Sequence, residues 1–298
     1  MQPDKLIPGD TIAIVSTARK LTKEEIQPAI ELLKSWGLNV SLGKNLFAAH
    51  NQFAGSDEER AEDLQAALNN PAIKAILFGR GGYGTVRIID KIDFSFCMQH
   101  PKWLIGYSDV TVLHSHIHQL FGMASIHGPM AFNFKTAPPD VLNKLKTLLF
   151  NGHESISFPS QVGNRNGNAE GLVVGGNLSI LYSLLGSISD IDTNEKILFI
   201  EDLDEYLYHI DRMMIALKRS GKLENLAGLI VGGMTDMKDH LVPFGKSAEE
   251  IILETVYDYN YPVCFGFPAG HIGANFPITL GLKAILKVDE ICNLTITQ

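Results

Sequence analysis

Residues 103–117 read WLIGYSDVTVLHSHI. Trp103–Ile105 is a short apolar strand, the chain turns tightly around Gly106–Asp109, and the segment that follows is expected to be helical. A serine at such a turn projects its hydroxyl out of the sheet, and the N–H of the next residue faces the same space. This is the geometry of a nucleophile elbow at Ser108, although the surrounding residues are not GxSxG. A competing local reading makes Ser108 the N-cap of the following helix, with Asp109 supporting its first turn.

Upstream of this stretch, strands and helices alternate. Thr11–Val15 is a β-branched run, and Lys23–Trp36 places Ile26, Ile30, Leu33 and Trp36 on one helical stripe that Gly37 ends. Leu38–Leu42 reads as a second strand. Ser56 caps a helix over Asp57–Asn69, with Glu59 completing a capping box. Ile73–Phe78 (IKAILF) is a third strand that runs into GRGGYG. This alternation predicts an α/β fold with a parallel sheet covered on both faces, whose ligand site lies at the carboxyl ends of its strands. Residues 1–135 form this first unit. TAPPD, the helix-like run Val141–Phe150 and SFPSQVGNRNGNAEG mark residues 136–169 as a connector, and 170–298 as a second unit. That unit has strands at Gly171–Val174, Lys196–Ile200 and Leu229–Val231, helices at Leu178–Leu185, Asp211–Ser220 and Ser247–Tyr257, and a tail, Ile278–Ile296, that alternates like antiparallel strands.

The 298 residues are 45% hydrophobic and 19% charged, enough for a sizeable core without disulfides or a structural metal. Net charge is −8 with no long basic run, which argues against a nucleic-acid partner. Cys97, Cys264 and Cys292 form no CxxC pair and read as small buried hydrophobes. The first residues do not have the pattern of a signal peptide, and no window is apolar enough for a membrane span, so a cytoplasmic location is expected and no membrane partner.

Four further features carry chemistry. GRGGYG matches GxGxxG at Gly79, Gly81 and Gly84, but it follows the third strand, where a dinucleotide fingerprint belongs after the first. A glycine turn whose N–H groups face an anion serves equally well as half of an oxyanion hole. His271 lies in the loop PAGHIGANFPI, and Glu201 ends an apolar strand in FIEDLDE. Each also reads as an ordinary polar residue, one solvated in a loop and one leaving a sheet. HSHIH (His114, His116, His118) raises a metal reading, but the segment lacks the Glu of HExxH. It is read as a helix with two solvated histidines, and neither a metal nor a cofactor is expected.

LIPGDTIAIVSTA, GRGGYGTVRII, GYSDVT, GGNLSIL, ILFIEDLDE, HIDRMM and GFPAGH occur in this order over nearly the whole chain. Together they resemble the LD-carboxypeptidases, serine peptidases of the muramoyltetrapeptide carboxypeptidase type, which are related to microcin C self-immunity peptidases. The resemblance implies a flavodoxin-like N-terminal α/β domain, a mostly β C-terminal domain with the active site between the two, and a homodimer. It implies Ser108 as nucleophile, His271 as general base and Glu201 as the group orienting the imidazole. The oxyanion would then meet the N–H of Asp109 and one from Gly81 or Gly82, and Arg80 would bind the substrate's terminal carboxylate. The implied reaction removes the terminal D-alanine of a murein tetrapeptide in peptidoglycan recycling. The alternative keeps the triad and takes a peptidyl or aminoacyl nucleotide.

Overall fold

The structure, a computed structural model, describes residues 1–152 and 155–296. In the first half the chain runs β1 (Thr11–Val15), α1 (Lys23–Ser35), β2 (Asn39–Leu42), α2 (Asp57–Asn69), β3 (Ile73–Phe78), α3 (Ser95–Gln99), β4 (Trp103–Gly106), α4 (Thr111–Phe121), β5 (Ser125–His127) and α5 (Pro139–Asn151). Strands β2-β1-β3-β4-β5 lie side by side in that order, all parallel. This is the flavodoxin-like order, with its switch point between β1 and β3.

Side chains alternate across the sheet as a strand demands. Ile12 and Ile14 join Ala75, Leu77, Trp103 and Ile105 on the face covered by α1 and α5. Ala13 and Val15 join Ile76, Phe78 and Leu104 on the face covered by α2, α3 and α4. The capping box of α2 is present, Ser56 accepting from Glu59 N–H while the Glu59 carboxylate accepts from Ser56 N–H. Thr22 and Glu25 build a second box at the start of α1.

The second half continues with β6 (Ser155–Pro159), β7 (Gly167–Asn177), α6 (Leu178–Ser183), β8 (Ile197–Leu203), α7 (Leu207–Arg219), β9 (Gly228–Thr235), α8 (Ala248–Thr255), β10 (Val263–Cys264), β11 (Ile278–Leu280), β12 (Lys283–Val288) and β13 (Ile291–Ile296). A seven-stranded mixed sheet runs β10-β9-β8-β7-β12-β13-β6. Its β7 to β10 are mutually parallel, and β12, β13 and β6 add antiparallel. One face packs Val174, Leu198, Ile200, Leu229 and Val231 against α6, α7 and α8.

The stretch 136–169 holds two elements of different allegiance. Helix α5 buries Leu142, Leu145, Leu148 and Leu149 in the core of the first sheet, and β6 is an edge of the second. The chain also crosses back near its end. Strand β11 pairs antiparallel with β5 and so completes the first sheet.

Cys97, Cys264 and Cys292 are free and buried, and burial pushes the thiols of Cys97 and Cys264 up. HSHIH is helical, but its histidines are not solvated as the sequence reading had them. His114 and His116 are buried, and His118 is half-buried. His114 bonds Ser125 Oγ at 2.8 Å and the Gly106 carbonyl at 2.9 Å, and His116 bonds Ser189 Oγ at 2.8 Å. Helix α4 is enclosed between the first sheet and the second half of the chain, a tertiary burial that local sequence does not report. Burial lowers His114 and His118 to about 4.

Candidate active site

A cleft of about 660 Å³ opens where the carboxyl ends of the two sets of parallel strands meet. The first sheet supplies Arg19 after β1, Arg80, Gly81 and Gly82 after β3, and Tyr107 and Ser108 after β4. The second supplies Asn177 at the end of β7, Ser179 in the first turn of α6, Asp202 near the end of β8, Asp204 and Glu205 just after it, and His271. A wider groove of about 1060 Å³, lined by Glu170, Glu195, Glu224 and Asp258 among others, has neither a serine nor a histidine in its wall.

Ser108 stands at the first residue after Tyr107 with φ of +62°. A non-glycine residue in this left-handed region is strained, and such strain persists only where the surrounding structure imposes it. Packing imposes it here. A side chain at Gly106 would come within 2.8 Å of Val110, so the turn closes tightly over a bare backbone. The Val110 N–H then donates to the Tyr107 carbonyl at 3.2 Å. Ser108 is therefore not the N-cap of α4, which begins three residues later behind a short 3₁₀ turn, Ser108–Val110.

Asp109 is sealed beneath this turn. One carboxylate oxygen accepts from Thr85 N–H at 2.8 Å, which ties the serine turn to the end of the glycine loop. Burial pushes the Asp109 carboxyl up. The glycine loop itself approaches Ser108 closely, since a Cβ at Gly81 would stand 2.9 Å from Ser108 Cβ and 3.1 Å from its Oγ. Gly82 has φ of +116°, and a Cβ there would strike the stem of Arg19 at 2.6 Å.

On the other side, Glu201 is fully buried near the end of β8. The pairing of β8 with β9 slips between Ile200 and Asp202, an irregularity of the kind that re-aims side chains at functional sites. One oxygen of Glu201 accepts from both the backbone N–H of His271 at 3.1 Å and its Nδ1 at 2.7 Å. Two donors on one acceptor fix both the loop and the ring. Gly270, with φ of +109°, makes this contact feasible, because a Cβ there would lie 2.7 Å from the same oxygen. The Tyr107 ring packs 4.8 Å from the His271 ring, centroid to centroid, which joins the serine turn to the histidine loop. An imidazole held at Nδ1 by a buried carboxylate keeps Nε2 for proton transfer.

Asp202 follows Glu201 and points to the opposite side of the strand. It accepts from Asn177 Nδ2 at 2.9 Å and from the Ser179 N–H at the start of α6, also at 2.9 Å. Burial, with the Glu201 carboxylate next to it, pushes Asp202 up to about 7. Asn177 N–H in turn donates to Thr111 Oγ1 at 3.0 Å, which pins the end of β7 to the start of α4 across the cleft floor.

Thus Ser108, His271, Gly81, Gly82 and Arg80 line one cleft, Glu201 lies directly behind the imidazole, and Asp109 supports the serine turn from below. Arg80 is the residue with prior engagements. Its guanidinium is 3.5 Å from Glu25 and lies 4.2 Å over the Phe132 ring. The residue-level reading did not single out Tyr107, Asn177, Asp202 or Arg19. Asn177 and Asp202 sit inside the conspicuous strings GGN and IED, the available signal for them.

Comparison with known proteins gives the family and the fold. The LD-carboxypeptidase N-terminal domain matches residues 12–128 and the LD-carboxypeptidase C-terminal domain matches 170–286. The chain is 37% identical to the probable murein peptide carboxypeptidase of Bacillus subtilis (strain 168), over 97% of this chain and 92% of that protein. The chain belongs to the LD-carboxypeptidase family. It is a carboxypeptidase with the fold of that family. The crystal structure of muramoyltetrapeptide carboxypeptidase from Oxalobacter formigenes superposes with a TM-score of 0.86 at 29% identity, covering 97% of this chain and 99% of that one. The microcin C7 self-immunity protein of Escherichia coli is a more distant relative, 26% identical over 97% of this chain and 94% of its own length. Among the described residues no helix is long and apolar enough to cross a membrane.

Proposed function

We propose that this LD-carboxypeptidase uses Ser108, His271 and Glu201 as a catalytic triad to release the terminal D-alanine from a murein tetrapeptide. The observation that carries the reading is a strained serine in the same cleft as an imidazole whose Nδ1 is held by a buried carboxylate. A serine hydroxyl is too weak a nucleophile unaided, so Nε2 of His271 takes the Oγ proton as Oγ attacks the amide carbon. Glu201 keeps the ring in the productive tautomer and stabilises the imidazolium that forms. The N–H of Asp109 and one from Gly81 or Gly82 meet the oxyanion, in a wall where Gly81 crowds Ser108 closely enough to serve. The imidazolium then protonates the departing amine, and water, activated by the same imidazole, hydrolyses the acyl-enzyme.

The substrate class follows from the relatives in Bacillus subtilis and Oxalobacter formigenes, whose names specify murein peptide and muramoyltetrapeptide. Such a role belongs in the cytoplasm, where peptidoglycan fragments are recycled, and the enzyme acts there as a homodimer. The microcin C7 self-immunity protein, whose structure is known in complex with aspartyl sulfamoyl adenosine, supports a second reading, in which the same three residues cut a peptidyl or aminoacyl nucleotide.

Mass spectrometry of murein tetrapeptide incubated with the wild-type chain and with Ser108→Ala tests the proposal. The wild type yields tripeptide and free D-alanine, and the variant, equally folded by circular dichroism, yields neither. Tripeptide formation by Ser108→Ala would remove the serine from the role. Turnover of an aminoacyl nucleotide in preference to tetrapeptide would establish the second reading.

A further inference from the structure

A carboxypeptidase must recognise a free carboxylate one residue beyond the bond it cuts, and two arginines line this cleft, Arg19 and Arg80. Their surroundings differ. Arg80 is committed, with Glu25 as its ionic partner and the Phe132 ring beneath its guanidinium. Arg19 is exposed and, among the described residues, forms no ion pair. A guanidinium offers five donors in a planar fork that fits a carboxylate with two parallel hydrogen bonds.

The backbone directs Arg19 toward the reaction centre. It leaves the carboxyl end of β1, and β3 alone separates β1 from β4, which carries the serine turn. Neighbouring strands lie about 4.8 Å apart, so the loop after β3 is all that intervenes. That loop is bare where the arginine crosses it. Gly82 carries no side chain, and a Cβ there would overlap Arg19 Cγ and Cδ at 2.6 and 2.7 Å. The next glycine back, Gly81, bears on Ser108 in the same way. The Arg19 N–H donates to the Gly81 carbonyl at 3.3 Å, which fixes the base of the side chain to the loop. Successive glycines thus carry the arginine stem and the serine hydroxyl. The acidic residues of the cleft, Asp202, Asp204 and Glu205, all come from the end of β8 and the turn after it.

We infer that Arg19, rather than Arg80, binds the terminal carboxylate of the substrate and makes the enzyme an exopeptidase. The inference rests on the serine carboxypeptidase reading above and deepens it. The scissile carbonyl sits over Ser108 beside Gly81, and the leaving residue extends across Gly82 to the guanidinium.

The test compares murein tetrapeptide with its C-terminal amide, for the wild type, Arg19→Ala, Arg19→Lys and Arg80→Ala. Hydrogen bonds to charged groups contribute enough for a ten- to hundredfold effect, roughly. The wild type is expected to prefer the free acid by about that factor in kcat/KM. In Arg19→Ala this ratio falls toward one, mainly through KM for the acid, with the amide reaction little changed. Arg19→Lys restores part of the preference, since it keeps the charge and loses the fork. An acid-over-amide ratio in Arg19→Ala equal to the wild type's would overturn the inference, as would collapse of the ratio in Arg80→Ala alone. Failure of the underlying reading has a different signature: Ser108→Ala then retains activity, whatever the ratios.

Discussion

The two walls of the cleft hold their reactive groups by different means. On the first-sheet wall, backbone does the positioning. Ser108 is fixed by a left-handed turn, and Gly81 and Gly82 shape the space around it through what they lack. On the second-sheet wall, side chains do it. His271 is a loop residue whose ring and N–H both reach a single oxygen of Glu201, itself set by a slip in strand pairing. Backbone positioning is local and resists a change of side chain elsewhere. Side-chain positioning depends on one carboxylate, so the second wall is the more fragile.

That contrast can be broken or sharpened by substitution. Glu201→Gln offers the largest effect. The neutral amide removes the counter-charge of the imidazolium, and its NH2 end, turned toward Nδ1, forces the wrong tautomer, so kcat should fall by about 10⁴. A fall below tenfold, measured on tetrapeptide with the fold intact, would mean that the loop alone orients His271. Gly81→Ala probes the backbone wall. The new methyl would stand 2.9 Å from Ser108 Cβ, too close unless the serine turn shifts, though it demands no unusual φ, so a modest fall in Tm should accompany a far larger fall in kcat, about 10²–10³, the loss typical of a displaced oxyanion donor. Equal loss of Tm and activity would make this glycine a packing residue instead.

Asp202→Asn gives the smallest effect and reads in stability. Burial raises this carboxyl from 3.8 to about 7. An acid with a raised folded value favours folding most below its unfolded value, and the contribution is lost as pH climbs through about 7. At about 1.4 kcal/mol per unit, the ceiling is about 4 kcal/mol. Urea midpoints taken from about pH 4 to about pH 8 should fall more steeply for the wild type than for Asp202→Asn. Parallel curves would show that Asp202 titrates as an exposed aspartate does.

The same contrast explains what the sequence disclosed. The first sheet was legible because each strand, helix and cap is written locally. Ser56 and Glu59 announce α2, and the turn after Ile105 announces Ser108. Strand β8 was legible too, and Glu201 at its end, but the partner of that carboxylate was visible only through family resemblance. Nothing in PAGHIGANFPI states that its histidine meets a residue 70 positions earlier. Local pattern also left histidines of HSHIH looking solvated, because it does not report tertiary partners such as Ser189 of the other half, which His116 bonds. The allegiance of β11 to the first sheet was illegible for the same reason, since a short alternating strand does not name its neighbour.

Strand β11 begins seven residues after His271 and bonds to the edge strand of the first sheet. The histidine segment is therefore anchored in both halves of the molecule, and the halves are not interchangeable modules. A fragment cut after α5 would expose the open side of β5, an invitation to edge-to-edge aggregation. Grafting the second half onto another α/β unit would succeed only if that unit offered a vacant strand position beside its own nucleophile turn.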